Sequence, residues 1–142
     1  MKRQASAQWG GSFKEGKGTI TTDSGVLVKT PYSFVSRIGD GPGTSAEELI
    51  AAAHAACFSM GLAAELGASG IEAHSIHTTA TVTLEKQPRG VAATQLHLDV
   101  SARIPGVDRL DFERAAENTK KDWLATLPFK GKLTVSVNLS AW

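Results

Sequence analysis

The 142-residue chain holds a single cysteine, Cys57. One cysteine excludes an internal disulfide and a zinc cluster, and it makes a reducing cytoplasm the expected compartment. Neither sign of charge is in excess: 15 Lys and Arg stand against 14 Asp and Glu, for a formal net charge of +1. That balance offers no broad field to nucleic acid or to an anionic membrane. Lys120, Lys121, Lys130 and Lys132 are interrupted by Asp122 and by apolar residues, and read as a solvated face. The N-terminal MKRQASAQWGG has basic residues but no apolar run behind them, so no signal peptide is expected. The longest apolar stretch, 49–64, is alanine-dominated and carries His54. It falls short of the roughly 20 strongly apolar residues of a membrane span. GDGPGTS at 39–45 lacks the Gly-Lys-Ser/Thr ending of a phosphate loop, and Pro42 removes an amide donor, so it reads as a flexible connection. There is no Gly-x-Ser-x-Gly elbow and no Ser-His-Asp arrangement.

What is present is an ordinary globular composition, 42% hydrophobic and 20% charged. It suits one domain, residues 1–142, with a modest core. Residues 5–38 read as short strands joined by turns. Gly18–Thr22, Val26–Lys29 and Tyr32–Ile38 are the β-branched segments, and Pro31 is expected at a strand start or edge. A long helix follows from about Ala46 to Leu66. Ser45 with Glu48, or Thr44 with Glu47 in the neighbouring register, fits a capping box, and Gly67 and Gly70 supply the stop. Leu49, Ala53, Cys57, Met60, Gly61 and Ala64 share one side, yet Ala51, Ala55, Phe58 and Leu62 leave the other side apolar too. A helix apolar all round is expected to be buried all round, here by a sheet and by a second helix, which a second subunit could provide. Residues 71–86 and 92–104 alternate as a strand pair around Gln87-Pro88-Arg89-Gly90. A helix over 108–125, capped by Asp108 or Asp111 and stopped by Pro128, and a strand over 132–139 complete the pattern. The order implies an α+β fold with antiparallel sheet.

Cys57 poses the chemical question. A reactive cysteine works as a thiolate. The helix dipole fades within the first turn, and Cys57 lies about three turns in, among apolar residues that oppose ionisation. Its residues alone leave two readings: an inert core side chain, or a nucleophile served by a cation from elsewhere. His54, three residues earlier, is either a structural histidine or a Cys57 partner. His74 and His77 face opposite sides of their strand, and His97 with His77 supplies only two ligands, so no metal site is expected.

The stretch TSAEELIAAAHAACFSMGLAAEL at 44–66 resembles the central helix of the OsmC/Ohr family of peroxidases, and AQWGGSFKEGKGTITTDSGVL with PYSFVSRI resembles the N-terminal strands of its OsmC branch. SIHTTATVTLEK and IPGVD match in style, so the resemblance covers nearly the whole chain. It implies antiparallel sheets around a long buried central helix in an intertwined homodimer. It implies reduction of organic hydroperoxides by a cysteine, with no metal, flavin or haem. By resemblance Cys57 is the peroxidatic cysteine, Arg37 the cation that holds its thiolate, and Glu47 the acid that positions Arg37, with Glu48 confined to the helix cap. The partners implied are a second copy, an organic hydroperoxide and a thiol reductant, with no nucleic acid and no membrane.

The chain departs from that family at one point. The family's second cysteine falls on Trp123 when aligned on the following strand. Three consequences are open: an external thiol or dithiol reduces Cys57 directly, two Cys57 residues pair between subunits, or the cycle is lost. The last would leave a non-catalytic dimer binding a small apolar or acyl ligand.

Overall fold

The computed structural model describes residues 1–123. The expected strand at 132–139, the Pro128 stop and the lysines at 130 and 132 lie outside the described residues. The elements are β1 (Ala5–Gly10), β2 (Lys17–Thr22), β3 (Thr30–Ser33), α1 (Phe34–Ile38), α2 (Ala46–Gly67), β4 (Ser75–Gln87), β5 (Gly90–Arg103) and α3 (Arg109–Asp122). The fold is α+β, as expected, with a three-stranded antiparallel sheet β1-β2-β3 and a β4-β5 pair. Contacts divide it into two units. The first is Met1–Ala55 with Thr79–Asp99, and the second is Ala56–Thr78 with the described residues from Val100 onward.

In the first unit the sheet register places Gly18 opposite Trp9 on one side and Tyr32 on the other. Pro31 lies in the edge strand β3, where its missing N–H breaks no ladder. The expected strand over Tyr32–Ile38 holds only for Tyr32 and Ser33. After Ser33 the chain turns into helix α1, because Ser33 and Ser36 form a reciprocal capping box: Ser36 N donates to Ser33 Oγ at 3.1 Å, and Ser33 N donates to Ser36 Oγ at 2.8 Å. Local side-chain bonds thus override the β-branched preference of Val35 and Ile38. Val26–Lys29 forms bends rather than a strand, tied by Leu27 N to Thr22 Oγ1 and Lys29 N to Thr21 Oγ1. The 39–45 segment is likewise not a loose connection. Thr44 N donates to Pro31 O at 2.9 Å, and Ser36 Oγ donates to Thr44 O at 2.7 Å. Gly43, at φ +101°, sits so close to the Pro31 carbonyl that a side chain has no room.

Ser45 caps α2: its Oγ accepts from Glu48 N at 3.1 Å. The Glu48 carboxylate accepts instead from the Thr44 hydroxyl, at 2.7 Å, so only half of the expected box forms. In the second unit Phe58, Leu62 and Leu66 of α2 and Ala115 of α3 are the buried apolar residues. Gly61 permits this packing, since a Cβ there would lie 2.5 Å from the Trp123 ring. Thr119 is fully buried, and its hydroxyl is satisfied by Ala115 O at 2.7 Å. Asp108, rather than Asp111, is the N-cap of α3, accepting from Leu110 N at 3.1 Å.

Burial all round α2 does not occur within one chain. Ile50 is 48% and Met60 64% exposed. The helix spans Ala46–Gly67, as expected to within a residue, and at 22 residues it is long and apolar enough, by length and composition, to cross a membrane. The core helix of a globular protein meets the same criteria.

Candidate active site

The start of α2 and the short α1 bring Arg37 and Glu47 together. Arg37 Nε donates to Glu47 Oε1 at 2.9 Å, and Arg37 Nη2 donates to Val91 O of β5 at 3.3 Å. The pair is largely buried, with side-chain exposures of 30% and 13%. Salt therefore screens it less than a surface pair. Its partnership follows from the cap just described. Glu48 is held by Thr44, which leaves its neighbour Glu47, about 100° round the helix, as the acid that meets α1. The second Glu47 oxygen, Oε2, is buried with no hydrogen-bond partner among the described residues.

Beside this pair lies a cavity of about 340 Å³ whose walls include Trp9, Phe13, Tyr32 and Phe34. Trp9 and Tyr32 meet at 5.3 Å between ring centroids, and Phe13 and Phe34 meet edge-on at 5.0 Å. Sequence reasoning missed these four rings. The available signal was that four of the nine aromatic residues fall within the first 34 positions, around the glycines of the first hairpin.

Cys57 belongs to the second unit, where it is half-buried on α2. Its Sγ donates to the backbone carbonyl of Trp123 at 3.8 Å, the far end of a sulfur hydrogen bond. The backbone of Trp123, the position where the resemblance leads one to expect a second cysteine, thus stands at this sulfur. His54 takes the structural role: Nδ1 contacts Ile50 O at 2.8 Å, and since a carbonyl only accepts, Nδ1 carries the proton. Among the described residues no group of three or more His, Cys, Asp or Glu is placed to hold a metal ion.

The family model for OsmC-like proteins matches residues 39–138. The chain belongs to that family. It is 40% identical over 141 residues to Peroxiredoxin OsmC of Escherichia coli (strain K12), covering 99% of both chains. Among solved structures it resembles an organic hydroperoxide resistance protein OsmC from Legionella pneumophila, with TM-score 0.63, 22% identity and 90% of each chain covered. It also resembles OhrB of Bacillus subtilis, with TM-score 0.62, 23% identity and coverage of 90% and 91%. These two likenesses establish the OsmC fold.

Proposed function

We propose that this OsmC-family chain is a thiol-dependent peroxidase that reduces organic hydroperoxides to alcohols. The observation that carries the reading is the Arg37–Glu47 pair, held beside an apolar cavity in a chain so similar to a peroxiredoxin. Cys57 is the nucleophile. Its thiolate attacks the distal oxygen of ROOH, and the O–O bond breaks. Sulfur keeps that oxygen as a sulfenic acid, and the alkoxide leaves and takes a proton to become the alcohol. Arg37 supplies the positive charge that the reacting atoms meet, and Glu47 fixes the guanidinium through a charge-assisted bond. Apolar walls favour organic hydroperoxides over hydrogen peroxide, because each buried methylene contributes about 0.8 kcal/mol.

One cysteine sets the second half of the cycle. An external thiol condenses with the sulfenic acid, releasing water and leaving a mixed disulfide. A second thiol equivalent then frees Cys57 and carries away the disulfide. The reducing cytoplasm is the compartment such a cycle needs.

The whole chain acts as one OsmC-like domain in an intertwined homodimer. The exposed apolar side of α2 supports this, because a second copy buries it. Helix geometry supports it too. Glu47 and Cys57 are ten residues apart on α2, about 15 Å of rise at 1.5 Å per residue. The Arg37–Glu47 pair of one protomer therefore serves the Cys57 of its partner.

The test is stoichiometric. One equivalent of cumene hydroperoxide should consume one thiol per chain and yield one trappable sulfenic acid, with turnover only when a dithiol is added. Peroxide left intact over a fully titratable thiol would overturn the proposal. It would favour a non-catalytic dimer binding an apolar or acyl ligand, a reading that the same ring-lined cavity supports.

A further inference from the structure

We infer that the aromatic cradle of the first unit selects the hydrocarbon part of the hydroperoxide, and that it takes arylalkyl hydroperoxides in preference to saturated ones of the same skeleton. This rests on the peroxidase reading and names the substrate class of that site. The cradle is built into the sheet. Trp9, Gly18 and Tyr32 form one cross-strand row, and Gly18 is the only one of the three without a side chain. A Cβ on Gly18 would collide with the Tyr32 ring, so the ring lies directly on the β2 backbone. A Cβ on Gly16 would come within 2.8 Å of the Trp9 indole nitrogen. Gly18 thus seats the Tyr32 ring, and Gly16, whose Cβ would also strike Ser12 O and Gly10 O, lets the first turn close against Trp9.

Within one chain the rings are not consumed by packing. Phe13 remains 64% and Trp9 37% exposed, while both line the cavity. Trp9 and Tyr32 are tilted at 54° and Phe13 and Phe34 at 65°. Tilted pairs leave ring faces and edges available for a third ring in the edge-to-face arrangements that aromatic groups prefer. At about 340 Å³ the cavity is at the small end of ligand sites, which suits a compact group rather than a long chain. The polar end is also defined. Arg37 and Glu47 line the same cavity as the rings, so the ion pair is its polar end. The head group is thereby directed to the ion pair and the hydrocarbon to the rings.

The experiment compares cumene hydroperoxide with 2-cyclohexyl-2-propyl hydroperoxide, which differ only in ring saturation. The wild-type chain should show a kcat/KM ratio of about tenfold in favour of the aryl compound, from one or two ring pairs. Phe13→Leu and Trp9→Leu, which keep apolar bulk, should bring the ratio to about one. Parity in the wild type, or an unchanged ratio in both variants, would overturn the inference. Calorimetry with the alcohols 2-phenyl-2-propanol and 2-cyclohexyl-2-propanol reads the same preference without chemistry. If neither hydroperoxide is consumed but the aryl alcohol still binds more tightly, the peroxidase reading fails and the cradle stands. Equal affinities for the two alcohols would count against the cradle itself.

Discussion

Arg37 and Glu47 meet at 2.9 Å, one from a five-residue helix and the other from the second residue of α2. The meeting depends on division of labour between adjacent acids. Glu48 is occupied by Thr44, and Glu47 is left to the guanidinium. Glu47→Gln keeps the shape and removes the charge. A bond to a charged group contributes roughly 1.5–3 kcal/mol, so sulfenic acid formation should slow by about 10- to 100-fold in stopped-flow measurements. Glu48→Gln should leave that rate within about twofold and lower folding stability by at most about 1 kcal/mol. Equal effects of the two substitutions would refute the assignment.

Cys57→Ser separates catalysis from binding. Peroxide consumption should vanish, while 2-phenyl-2-propanol should bind to the first unit as before, because none of the cavity walls includes Cys57. Residual turnover in this variant would place the chemistry on another group.

If the ion pair of one protomer serves the sulfur of the other, two dead variants should rescue each other. Arg37→Ala and Cys57→Ser homodimers, mixed and allowed to exchange subunits, should regain activity. Each mixed dimer then has one complete site, built from the Cys57 of one chain and the Arg37 of the other. A mixture as inactive as its parents, with exchange demonstrated by mass spectrometry, would put all three residues in one chain.

Trp123→Cys should restore a resolving thiol. The carbonyl of this residue already lies 3.8 Å from Cys57 Sγ. One equivalent of hydroperoxide should then remove both thiols and form an intramolecular disulfide, seen as a loss of two hydrogens by mass spectrometry. A variant with one free thiol remaining after oxidation would show that position 123 does not reach the sulfenic acid.

Much of this was legible in the sequence where local chemistry decides. The long helix was readable from the Ser45 cap and the terminal glycines, and the β4-β5 pair from alternation around Pro88-Arg89. The roles expected of Arg37 and Glu47 came from family resemblance, and the choice of Glu47 over Glu48 needed the Thr44 hydroxyl, whose bond no spacing rule specifies. The Ser33–Ser36 box hid behind β-branched neighbours. The aromatic cradle was illegible because it depends on register: Trp9 and Tyr32 are far apart in sequence and meet only because both pair with Gly18. The all-round apolar character of α2 was readable too, but periodicity reports how greasy a face is, and not which chain covers it.

Gly18 has a consequence of its own. It meets no substrate and carries no reactive atom, yet the Tyr32 ring rests on it. A methyl group there would meet both the Tyr32 ring and the Gln8 carbonyl, and so would move one wall of the cavity together with the strand beside it. The shape of the hydrocarbon wall is therefore set by a position with no side chain at all, through the ring and the carbonyl that close over it.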